Sequence, residues 1–319
     1  MSNPPNPFNA DKSKTASWTR RKLLGIAVAA GPTIGTIASA FVPRKAVASP
    51  VNPGPFVSEE LFPNLVDIAA RGEAVAAIST IVTQSKSVKL NWQNRGLAPR
   101  GYMKGMALVF AKVYLKLKAG DPAANEMAKA NSGDMRTDAI AWYADIFSRY
   151  SMSNADSGID TLRHLFVLLI GLGMRESLGK YCAGRDIAAS NTSADTAQAG
   201  LFQSTFAAST TSPLLTELFR HYLANPAGFA GVFADGVQCT PAELENVGNG
   251  NGERFQRLSK ECPAFAVEYA AICLRQIRSQ YPSINRREAT VRPECDEMLR
   301  QVQSFVDVSP NINASLGLN

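Results

Sequence analysis

Histidine is nearly absent from this 319-residue chain. The only two, His164 and His221, stand far apart, so a Ser-His-Asp or Cys-His relay has few ways to be assembled. No pair among the five cysteines (182, 239, 262, 273, 295) has C-x-x-C spacing, and with so few imidazoles no metal site is expected. Alternating strand runs bounded by hairpin turn signals are missing, and so is any internal repeat. The glycine-rich VGNGNGE, Val247 to Glu253, has no preceding strand and no Gly-Lys-Ser/Thr ending. It reads as a flexible turn, not a phosphate cradle.

Net charge is lacking too, once the N-terminus is set aside. The chain carries 33 basic and 27 acidic residues. Residues 1–48 hold seven of the basic ones and a single acid, Asp11, so the remainder balances at 26 against 26. The basic pI therefore gives no reason to expect nucleic-acid binding. Within 1–48, Thr19-Arg20-Arg21-Lys22-Leu23-Leu24 precedes a diluted apolar run, Leu23 to Val42, and Ala46-Val47-Ala48 supplies small-x-small. This order resembles a twin-arginine export signal, which implies an exported, periplasmic or secreted protein. If the bond after Ala48 stays intact, the run tethers the domain to the membrane. An oxidising compartment favours up to two disulfides among the five cysteines, with Cys273 the expected free thiol.

What is present is helical periodicity. Residues 49–56, SPVNPGPF, read as a linker. Residues 57–319 read as one all-α domain, with 57–156 an N-terminal helical layer and 157–319 the core. Helices are expected at about 59–83, 101–118, 137–150, 157–179, 213–223, 263–280 and 293–306, and NWQNRGLAPRGY reads as a loop. Ser157, three residues before Asp160, offers a capping box for the fourth of these. That helix has no polar side chain from Leu165 to Met174, which places it in the centre of a bundle. Gly171 and Gly173 then imply another segment crossing close to it.

The apolar helix ends in Arg175-Glu176. A carboxyl in scarce water favours its neutral form, and a neutral acid can protonate a leaving oxygen, as glycoside cleavage requires. Alternatively, Glu176 is a structural carboxylate paired with Arg175 or Arg185.

GLGMRESLGKY followed by DTAQAGLFQSTF resembles the lysozyme-like superfamily, in particular goose-type lysozymes and lytic transglycosylases. Glu176-Ser177-Leu178-Gly179 matches the family's Glu-Ser-x-Gly element. Gly200-Leu201-Phe202-Gln203 matches its Gly-Leu-Met-Gln element, with Phe for Met, and begins 24 residues after Glu176. The resemblance covers about 165–206 and implies a lysozyme-like helical fold acting on peptidoglycan glycan strands. It implies Glu176 as general acid, Ser177 as a hydrogen-bonding partner, and Gln203 as a contact to the acetamido sugar. Gly200, Leu201 and Phe202 would line the cleft with it, and Tyr181 would flank it. A second carboxylate would be Asp195 or Asp186, unless the substrate's own hydroxyl attacks, as in transglycosylases. The Tyr-Asn-x-Gly element of the latter is matched only faintly, by Asn246-Val247-Gly248. Neither route needs a cofactor. The rival reading is a non-catalytic envelope protein that binds glycan or a partner protein.

Overall fold

The computed structural model describes residues 62–185, 193–309, 312 and 316. Segments with apolar residues at helical spacing form its helices. In chain order these are α1 (Phe62–Gln84), α2 (Arg100–Lys118), α3 (Pro122–Met127), α4 (Ala139–Trp142), α5 (Ala144–Arg149), α6 (Ile159–Ser177), α7 (Pro213–Ala224), α8 (Ala230–Phe233), α9 (Pro241–Leu244), α10 (Gly250–Glu261), α11 (Pro263–Gln276), α12 (Pro282–Asn285) and α13 (Pro293–Val308). The domain is all-α. Extended pairing among the described residues is limited to the hairpin β1 (Asn91–Trp92) with β2 (Gly96–Leu97) and a single bridge, Ala199 to Ser204. The export-type segment 1–48, the linker and Asp186 lie outside the described residues, none of whose helices is long and apolar enough to cross a membrane.

Helix α6 organises the rest. Every residue from Thr161 to Met174 is buried, so no face of it is left for water and neighbours must enclose it. Helices α2, α3, α11, α12 and α13 do so. Two crossings need glycine. A Cβ at position 171 would lie 2.3 Å from the Thr290 carbonyl oxygen, and one at 173 would lie 2.3 Å from the Tyr102 hydroxyl. Tyr102 Oη donates to the Ile170 carbonyl at 2.9 Å, locking α2 to this turn. Arg163 on α6 meets Asp296 on α13 at 2.5 Å, with both side chains buried. Lys116 on α2 meets the buried Glu268 on α11 at 2.6 Å, and Arg275 on α11 meets Asp138, the N-cap of α4, at 3.2 Å. Such pairs add little net stability, because each charge has given up its hydration.

Several boundaries differ from the sequence expectation. The capping box does not form. Helix α6 starts after Gly158, and the Ser157 hydroxyl instead accepts from the Ala130 amide at 2.8 Å, joining two loops. The expected helix at 137–150 breaks at Tyr143 into α4 and α5. The supposed loop 91–102 contains the hairpin, whose tight return uses positive φ at Asn94 and Gly96. The glycine-rich turn holds the start of α10, and its Gly252 lies against the Ala194 backbone.

Replacing Gly171 by Ala should destabilise the domain by about 1–3 kcal/mol through overpacking, although Ala is worth ~1 kcal/mol more than Gly inside an isolated helix. The check is the urea midpoint at unchanged m-value. A stabilised variant would contradict the close crossing at Thr290.

Candidate active site

Glu176 sits on the last turn of α6, which closes at Leu178 in the left-handed region, φ 58°. Three groups converge on one carbonyl there. The Leu178 and Gly179 amides and the Ser177 hydroxyl all donate to Gly173 O, the last two at 3.1 Å each. Ser177 is therefore turned back along the helix, and the hydroxyl beside Glu176 is that of Ser283 on α12.

The Glu176 side chain is half-buried, and its Oε1 is buried with no hydrogen-bond partner. Desolvation raises its pKa. The Ser283 hydroxyl and the charges of Arg175 and Arg286 pull the other way, without cancelling the effect of burial. The cations are weakened as partners because both are engaged elsewhere. Arg175 and Arg286 each bind Glu288 at 2.9 Å, and Glu288 is held below the usual carboxylate range, chiefly by its hydrogen bond from Arg286. The pairing of Glu176 with Arg175 weighed from sequence is thus replaced by Arg175 with Glu288. No ion pair to Glu176 occurs among the described residues.

The GLFQ turn lies directly on the segment that follows Glu176. Gly200 N–H donates to Ala183 O at 2.9 Å, and Gln203 Nε2 donates to Ala183 O at 3.4 Å and Gly200 O at 3.1 Å. Ser204 then bonds the Tyr281 hydroxyl at 2.8 Å, at the edge of the helix that carries Ser283. The two sequence elements are therefore brought together, though not with every side chain facing open space. Leu201 and Phe202 are buried core residues, and Tyr181 is half-buried against the same core. Gln203, at φ 52°, spends its amide N–H groups on backbone carbonyls. Asp195 is exposed and sits against Gly252 at the start of α10. No hydrogen bond or ion pair joins it to Glu176 among the described residues.

A disulfide, Cys182–Cys239, anchors the chain six residues beyond Glu176. Cys273 is free and buried, as are Cys262 and Cys295. Lys180 pairs with Glu243 on α9 beside the disulfide.

Sequence reasoning missed Arg95, Ser283, Arg286 and Glu288, the groups that set the electrostatics at Glu176. The Arg286-Arg287-Glu288 run was the available signal. It stands 110 residues from Glu176, so only the fold relates them. A cavity of about 400 Å³ opens next to these residues, and a larger one of about 810 Å³ lies between α2, α3, α7 and α13. Glu176 lines neither. No family model, curated protein or solved structure matches the chain.

Two outcomes are expected. A carboxyl whose pKa is raised by folding holds its proton more tightly in the native state, so stability is lost as pH rises from the unfolded value through the folded one. Glu176→Gln should therefore be more stable than the parent near pH ~7, with the gap closing below pH ~4, where both states are protonated. Urea unfolding across pH reads this, and a pH-independent gap contradicts it. Replacing Cys182 and Cys239 together by Ser should cost about 2–5 kcal/mol, seen as a lower urea midpoint. Reductant should lower the parent's midpoint towards that of the variant.

Proposed function

We propose that this chain is an exported, lysozyme-like enzyme that cleaves the β-1,4 bond between N-acetylmuramic acid and N-acetylglucosamine in peptidoglycan. The observation that carries this reading is Glu176, a desolvated carboxyl at the end of α6 without an ion-pair partner among the described residues, followed by a segment whose Ala183 carbonyl is bound by a turn of matching GLFQ sequence. On this reading α1 to α5 form an added layer over a catalytic core that begins near residue 157.

Glu176 keeps its proton at working pH and delivers it to the glycosidic oxygen as the sugar ring distorts towards an oxocarbenium-like state. Burial supplies the proton affinity, and Glu288, by binding Arg175 and Arg286, limits how far those cations stabilise the carboxylate once the proton has left. The acceptor is water assisted by Asp195 or Asp186 or, by a second route, the muramoyl hydroxyl of the same strand. In that route Glu176 alone acts as acid and then as base.

The test is to incubate the mature domain and its Glu176→Gln variant with purified peptidoglycan and weigh the released fragments. The variant should be slower by about 10²–10⁴-fold, and fragments one water lighter than hydrolysis products identify the transglycosylase route. Equal release by both proteins, or release by neither, removes Glu176 as the acid. Glycan binding without cleavage supports the non-catalytic alternative.

A further inference from the structure

The 400 Å³ cavity lined by Arg175, the residue before Glu176, falls within the ~300–1,000 Å³ range of small-ligand sites. Four separate segments wall it: the β1–β2 hairpin, the end of α5, the last turns of α6, and the α12–α13 connection. Its lining includes Arg95, Arg149, Arg175 and Arg287 with Trp92, and Glu288 is its only carboxylate.

The cations are under-compensated. Arg149 and Arg287 share Asp145, at 3.3 Å and 3.1 Å. Arg175 shares Glu288 with Arg286, at 2.9 Å each. Arg95 has no ion-pair partner among the described residues, and its Nε is buried without a hydrogen bond. Trp92 Nε1, on the same hairpin, is likewise a buried donor without an acceptor. Burial and the neighbouring Arg175 charge both lower the Arg95 pKa, the first more than the second. Ion pairs from these arginines and Arg286 thus end on two carboxylates, Asp145 and Glu288, and the two orphaned donors belong to the hairpin that walls the cavity. Buried donors without partners are uncommon in native proteins unless something else supplies the acceptor. A planar oxyanion suits them, since guanidinium forks bind carboxylates in two parallel hydrogen bonds.

We propose that this cavity is an anion subsite for the carboxylates of the peptide stems on peptidoglycan, so that the enzyme prefers peptide-bearing strands to bare glycan. The inference rests on the proposed muramidase reading and adds a substrate preference to it. Arg95 lies close enough to Glu176 and Glu288 for each charge to act on it, so a stem engaged there is attached to sugar next to the acid.

Calorimetry on the Glu176→Gln protein, with and without Arg95→Ala, tests the subsite without turnover. The ligands are a soluble disaccharide-tetrapeptide, the same saccharide stripped of its peptide, and inorganic phosphate. The ratio of affinities for the peptide-bearing over the stripped saccharide should fall by about tenfold or more with Arg95→Ala, the size of a charge-assisted pair. Arg95→Lys should recover part of it, and the thermal midpoints of both variants report that the fold is kept. An unchanged ratio, no binding of the peptide-bearing ligand, or phosphate bound as tightly as the peptide with the same Arg95 dependence overturns the assignment. Arg95-dependent binding in a protein whose parent form cleaves nothing leaves the subsite standing and removes the muramidase reading. Cleavage by the parent with an unchanged ratio does the reverse.

Discussion

Helix α6 has no solvent-facing side from Thr161 to Met174, and the rest of the fold answers that constraint. A helix apolar all round is stable only when enclosed, and here the enclosure is tight enough that Thr290 and Tyr102 occupy the space of two missing Cβ atoms. The same enclosure fixes the direction in which the helix ends. Its last turn is held by three donors on the Gly173 carbonyl, by α12 alongside, and by a disulfide a few residues on. The side chain delivered there has little freedom to find a better-solvated place.

That side chain is an acid, and the balance of effects at Glu176 decides its state. Burying a carboxylate without compensation costs several kcal/mol even after relaxation. Of the guanidinium groups whose charge reaches it, Arg175 and Arg286 are bound to Glu288, while Arg95 is not. Glu288 thereby acts at a distance on the acid, by occupying two of the cations that lower its pKa. Desolvation wins, and the Glu176 pKa is raised above that of an ordinary glutamate.

The helical class, the central position of α6, and the close crossings at Gly171 and Gly173 were legible from period and composition alone, because those signals are local. Glu176 was legible for the same reason, as a charge at the end of an apolar run. Its surroundings were not. Ser283, Arg286 and Glu288 lie more than a hundred residues away, and Arg95 sits on a hairpin too short to leave an alternating pattern. Resemblance to a family's motif also spoke for residue types but not for orientation. Ser177 hydrogen-bonds Gly173, and Leu201 and Phe202 fill the core.

The central claim is that burial raises the Glu176 pKa, and a direct titration reads it. Carboxyl-carbon NMR on selectively labelled protein, with Glu176→Gln used to assign the resonance, follows this one group across pH. The account predicts a midpoint above the ~4.3 of an ordinary glutamate, moving further up when Glu288 is left in place and Arg175 is replaced by Ala. A midpoint at or below the ordinary value would contradict it.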